Sequence, residues 1–154
     1  MICIRTSLRN AYAVAVASGT RPDLAAMLTP LLRELVAAEK PALARNDLTM
    51  WGYVVLCALD RGTVRTQAAL AQAVNADKTR IIGTLDELQD RNLIERRPDP
   101  EDRRVRLLAI TDAGRAVKEA AQAEIQSGEE RWLGLLTAEE RSVFLRALLR
   151  MTHA

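Results

Sequence analysis

The sequence predicts a mainly α-helical chain with one small β-hairpin past its middle. Apolar residues return every three or four positions over most of the length, and aromatic residues make up only 3% of it. A single β-branched and aliphatic run, Val105 to Ile110, follows a charged turn bearing Pro98 and Pro100, as the return strand of a hairpin would.

Composition sets the outer bounds. A chain of 154 residues suits one domain of ordinary size and is too short for two enzymatic modules. With 49% apolar and 27% charged residues it has the balance of a folded soluble protein. A net charge of +2 is mild, so any argument for nucleic acid must rest on where the arginines sit. Cys3 and Cys57 fit neither a disulfide framework nor a metal spacing, and they suit a reducing, cytoplasmic compartment. No segment is long enough to span a membrane. Arg5 and Arg9 ahead of the Ala11 to Ala17 run bear a poor likeness to a secretory signal. Residues 1–20 are read as an N-terminal arm, and residues 21–154 as the domain proper.

The elements follow in order. From Asp23 to Ala44, Leu24, Leu28, Leu31, Leu32, Leu35 and Val36 recur at helical spacing, with Pro30 and Pro41 expected to break or kink the run. Thr49 caps a second helix that holds Trp51 and Tyr53, buries Val54, Val55, Leu56 and Leu59, and ends at Gly62. Thr63 to Arg65 has room only for an edge strand. Thr66 caps a short helix burying Leu70, Ala71 and Val74, and it stops at Asn75. Asp77 caps the next helix, in which Ile81, Leu85 and Leu88 form one stripe before Asn92. After the hairpin, Thr111 caps a long helix through Val117, Ala121 and Ile125, with Gly128 as its weakest link. Thr137 and Glu140 form a capping box for a last helix carrying Val143, Phe144, Leu148 and Met151.

Helix, helix, edge strand, helix, tight turn, helix and hairpin is the order of a winged helix-turn-helix, whose second motif helix enters a major groove. At about 100° per residue, a core stripe of Ile81, Leu85 and Leu88 leaves Thr79 and Gly83 facing outward, flanked by Arg80 and Ile82. Thr79, Arg80 and Gly83 are therefore the expected base-facing positions, with Lys78 beside them as a donor to phosphate. Gly83 lets the backbone come close to a duplex. Asp86 and Asp90, further along the same side, would be repelled by DNA, so only the first turns are expected to sit deep. Arg65, Thr66 and Gln67 are expected against the DNA backbone. At the hairpin tip Asp102, Arg103 and Arg104 are expected at a minor groove, whose negative potential attracts guanidinium groups, with Asp102 orienting one arginine.

The segment from Leu48 to Gly114 carries LTMWGYVVL, then QAALAQAVNADKTRIIGTLDELQDRNLIERRPDPEDRRVRLLAIT, then DAG, and it resembles the MarR family of bacterial regulators. The likeness rests on Leu70 and Ala71, the Leu-Ile-Glu-Arg strand, Asp102 and Arg104, Thr111 and Gly114, and the closing Leu136 to Arg141. It implies an obligate homodimer whose first and last two helices interlock, with residues 48–111 as the winged-helix lobe and 21–47 and 112–154 as dimerisation helices. It also implies double-stranded DNA as partner, a palindromic operator, and a ligand-responsive repressor whose small-molecule effector is aromatic or phenolic. Two positions depart from the pattern: Arg80 stands where members often carry Thr, and Gly83 where they often carry Arg. An operator sequence cannot be borrowed. The usual glycine after the recognition helix is Asn92, which the left-handed conformation tolerates.

Other readings stand beside these. A winged domain can serve protein contact without DNA. Trp51 and Tyr53 could line an effector pocket, although aromatics on an amphipathic helix more often fill core. Cys3 could be a redox sensor, yet nothing near it supplies the positive charge that activates a thiol. An enzyme fares worst, because the only histidine is His153 and no Cys, His or carboxylate cluster has metal-ligand or catalytic spacing. No cofactor is expected.

Overall fold

A computed structural model describes residues 22–62, 64, 66–74, 76, 78–99, 102 and 106–152, without the side chains of Ala68, Lys78, Thr79, Arg80 and Arg106. The expectations for Cys3, Arg65, Asn75, Asp77, Arg103 and Arg104, and for the side chains just named, lie outside the described residues. Two compact units divide the chain, residues 1–37 and 38–154.

The first helix, α1 (Leu24–Arg45), runs without a break at Pro30 and Pro41, where the sequence leads one to expect breaks or kinks. A proline removes its own backbone donor and crowds the carbonyl four residues back, but its φ is already helical, and strong helix formers on both sides carry the ladder past it. The Thr29 hydroxyl donates to the Ala25 carbonyl at 2.7 Å in the turn before Pro30. Within residues 1–37, Leu24, Met27, Leu28, Leu32 and Val36 remain exposed.

In residues 38–154 the last turns of α1 bury Ala42 and Leu43. A corner at Asn46 and Asp47 leads to α2 (Met50–Asp60), capped by Thr49, whose hydroxyl accepts from the Gly52 amide at 3.0 Å. α3 (Gln67–Ala73) is capped in the same way by Thr66, which accepts from Ala69 at 2.9 Å. Then come α4 (Lys78–Asp90), β1 (Ile94–Pro98), β2 (Arg106–Ile110), α5 (Asp112–Leu133) and α6 (Ala138–Thr152). β1 and β2 pair antiparallel, from Ile94 with Ile110 to Pro98 with Arg106. Val64 forms the expected edge bridge, to Leu108.

One core joins these elements. Val55, Leu56, Leu70, Ile81 and Ala121 are wholly buried, with Leu59, Leu85, Leu88, Leu93, Ile94 and Leu108 beside them. The three-residue and four-residue spacing of Ile81, Leu85 and Leu88 gives α4 one apolar stripe against this core. Asp60, at the end of α2, pairs with Arg115 and, at 2.8 Å, with Lys118, which fixes α2 to the start of α5. The α6 capping box is present: the Thr137 amide donates to Glu140 Oε2 at 2.8 Å and the Glu140 amide donates to the Thr137 hydroxyl at 3.3 Å. No residue of α6 is buried, and Val143, Leu145, Leu149 and Met151 stand exposed along it. No helix among the described residues is long and apolar enough to cross a membrane.

Candidate nucleic-acid interface

The helix-turn-helix is built from α3 and α4. After the Val74 cap the turn closes on itself, the Ala76 amide donating to the Ala71 carbonyl at 2.9 Å. Because Ile81, Leu85 and Leu88 are pinned in the core, the opposite side of α4 is turned away from it. Ile82 is exposed, and a Cβ placed on Gly83 would meet nothing within 4 Å. Gly83 thus faces outward as its position in the helical period requires, with backbone open to a close approach. Thr66 spends its hydroxyl oxygen on the α3 cap, and Gln67 is half-buried as the first residue of that helix.

The described strands end at the Pro98 and Arg106 pair. Asp99 is buried while Asp102 is exposed. The sequence reading missed two arginines on β1. Alternation places Arg96 on one face of the strand and Glu95 and Arg97 on the other. Arg97 Nε donates to Glu95 Oε1 at 2.6 Å, and Arg96 Nη2 lies 3.8 Å from Asp86 Oδ1 on α4. Asp86, expected from sequence to repel a duplex, is therefore matched by a wing arginine. Nothing in local spacing pairs position 86 with position 96; the packing of β1 beside the end of α4 does so.

Trp51 and Tyr53 are half-buried and pack against the core, as their positions on an amphipathic helix suggest. Burial first, then Cys57 one turn along and the charges of Glu39 and Glu129, push the Tyr53 hydroxyl well above the ordinary phenol range. The phenol stays protonated and remains a donor at any physiological pH. Glu39 is itself raised, by burial and by repulsion from Glu129. A carboxyl raised in the folded state favours folding at pH below the ordinary carboxylate value, and that contribution is lost as pH rises through the raised value. Glu39→Gln is accordingly expected to increase Tm at neutral pH and to lose its advantage near pH 4, read by thermal melts across pH. An advantage that persists in acid would assign the effect to packing.

Comparison with known proteins bears on this arrangement. The MarR family model matches residues 48–105, which run from the start of α2 into the hairpin connection. The transcriptional regulator HosA of Escherichia coli O111:H- is 32% identical over 108 residues, covering 70% of this chain and 80% of HosA. The chain belongs to the MarR family. The MarR-family assignment agrees with a second relative, the HTH-type transcriptional repressor NicR of Pseudomonas putida KT2440, 35% identical over 105 residues. That match covers 68% of this chain and 66% of NicR, just under two thirds of its length. Among solved structures, a MarR family protein of Mycobacterium tuberculosis in complex with DNA superposes with a TM-score of 0.73 at 25% identity, over 84% of this chain and 98% of that one. Bordetella bronchiseptica BpsR, described as regulated in its DNA binding by 6-hydroxynicotinic acid, gives 0.66 at 28% identity, over 86% and 94%. The MarR fold, mostly helical with a two-stranded wing, is the fold of this chain.

Proposed function

We propose that the chain is a homodimeric, sequence-specific regulator that binds a palindromic operator in double-stranded DNA and represses transcription until a small molecule releases it. The observation that carries this is the two-sided α4: one face locked in the core by Ile81, Leu85 and Leu88, the other open at Ile82 and Gly83, with an arginine-rich hairpin directly after it. The first two turns of α4, with Lys78, Thr79, Arg80 and Gly83, take the major groove. Asp102, Arg103 and Arg104 take the minor groove, and Arg65, Thr66 and Gln67 the adjacent backbone. Behind the wing tip, Arg96 and Arg97 offset the carboxylates of Asp86 and Glu95.

The dimer reading rests on α6, whose Leu145 and Leu149 on one side and Val143 and Met151 on the other leave apolar side chains in water, and on Leu135 before it, 79% exposed. A helix exposed on two apolar sides marks an interaction surface, and covering it with a second copy would return its burial free energy. Residues 21–47 and 112–154 are assigned to this role. Repression is supported by the naming of NicR, and an aromatic effector by the 6-hydroxynicotinic acid that acts on BpsR. Trp51 and Tyr53 are the aromatic contacts proposed for it.

The deciding experiment is selection from a random duplex library with purified full-length protein at low salt. Enrichment of a palindrome with half-sites about one helical turn apart is expected. Failure to enrich any sequence would favour a winged-helix module that serves protein contact.

A further inference from the structure

The end of α4 is gripped from two directions. Arg91, immediately after the helix, donates from Nη1 to the backbone carbonyl of Asp47 in the corner between α1 and α2. Asn92, at φ 55°, turns the chain, and its carbonyl accepts from the Thr111 hydroxyl at 2.7 Å. The Leu93 carbonyl accepts from the Thr111 amide at 3.1 Å. Thr111 is the cap of α5, so one grip comes from the corner and the other from the start of α5.

The corner is in turn tied to α5, about 20 Å further along that helix. Arg45 Nε donates to Glu124 Oε2 at 2.6 Å, and Asn46 Nδ2 donates to Glu124 Oε1 at 3.1 Å. Each oxygen of the carboxylate thus takes a donor from one of two adjacent corner residues. Asn46 also donates to the Ala42 carbonyl at 2.9 Å. Asp47 has φ 50°, a left-handed conformation that non-glycine residues hold when their surroundings impose it. The contacts close a ring: α5 to the corner through Glu124, the corner to the end of α4 through Arg91, and the end of α4 back to α5 through Thr111.

We infer that Glu124 is a positioning residue for DNA binding, because it fixes the corner carbonyl that receives Arg91 and so sets the angle at which α4 is presented. This rests on the reading of α4 as the DNA-contacting helix. The lever is long: α4 has 13 residues, and a tilt of about 5° about its Arg91 end moves its first turn by roughly 1.7 Å at 1.5 Å rise per residue. Glu124 and Arg45 are partly exposed, so their pairing is worth little as net stability. Its effect lies in alignment, which base contacts sense and phosphate attraction does not. Hydrogen bonds from Arg45 and Asn46 also hold the Glu124 carboxyl below the usual carboxylate range, so the contact is charged at neutral pH.

Two arms test this with the full chain. In the first, Glu124→Ala, Arg91→Ala and the double variant are titrated against the duplex enriched by selection and against an unrelated duplex of equal length. Each single variant is expected to lose about tenfold on the enriched duplex and less than about twofold on the unrelated one, with an unchanged salt slope. The double variant is expected to be no worse than either single, because both act through one linkage. Equal losses on both duplexes, additive losses, or no loss would overturn the inference. In the second arm, hydrogen exchange is compared in parent and Glu124→Ala without DNA. Faster exchange at the amides of residues 85–93, which Glu124 does not touch, is expected; changes confined to residues 42–48 and 121–127 would overturn the linkage. A parent chain that enriches no duplex sinks the DNA reading, and the exchange arm still decides whether the linkage exists.

Discussion

Gly114→Ala is expected to be the most damaging conservative substitution in the chain. Gly114 sits in the first turn of α5, where its amide donates to the Thr111 hydroxyl at 2.9 Å. A Cβ there would land on the Leu93 carbonyl oxygen, 2.9 Å from its carbon and 3.0 Å from Ile110 Cγ1. Two of these atoms are backbone at the exit from α4, and cannot swing aside as a side-chain tip would. Overpacking of this kind costs about 3 kcal/mol or more, and for a chain of this size the loss in Tm is on the order of 10 °C. The same substitution at Gly128 is the control. It lies in α5 with nothing within 4 Å of the added methyl, so Gly128→Ala should stabilise by roughly 0.5–1 kcal/mol through helix propensity alone. Thermal unfolding followed by circular dichroism separates them; equal melting temperatures for the two variants would refute the close approach of α5 to Leu93.

Arg104→Ala is expected to give the largest loss of DNA affinity among single side-chain removals in the wing. In sequence Arg104 falls between Pro98 and Arg106, the last described pair of the strands, and follows Asp102 in the Asp-x-Arg order that resembles the family. A guanidinium that meets phosphate or a narrow minor groove makes charge-assisted contacts worth about 1.5–3 kcal/mol. Its removal should weaken operator binding by about tenfold or more and reduce the slope of log affinity against log salt by roughly one for each phosphate equivalent it neutralises. The measurement is fluorescence anisotropy of the selected duplex across a salt series. An unchanged isotherm would remove the wing from the interface. Arg80→Ala, by contrast, acts at a proposed base-facing position, so changed preference among operator variants is the signature to seek there.

Much of this molecule can be read from spacing. The stripe Ile81, Leu85 and Leu88 is buried as its period requires, and Gly83 opposite it is open. Thr49, Thr66 and Thr111 each accept an amide three residues on, and Thr137 with Glu140 makes the capping box. Asn92 adopts the left-handed conformation that its place after α4 demands. These are local decisions, in which the residue and its neighbours within one turn contain the whole physical argument. Of the breaks or kinks expected at Pro30 and Pro41, the breaks are absent on the same ground. A missing donor is a local cost, and a helix of 22 residues has enough remaining hydrogen bonds and favourable side chains to absorb two.

The α4 surface shows where sequence and tertiary structure part. Sequence alone determined which face of α4 is buried, that Thr49, Thr66, Thr111 and Thr137 cap the helices after them, and that a hairpin follows α4, because all of these depend on period and on contacts within a few residues. The partners across the chain came only with the fold: Arg96 beside Asp86, Asp60 between Arg115 and Lys118, Arg91 on the Asp47 carbonyl, and Arg45 and Asn46 on Glu124. Each joins residues from 10 to 79 positions apart. A charged side chain in sequence has many prospective partners of opposite sign, and only the packing of apolar stripes, which sets how helices and strands lie against one another, selects which one it meets.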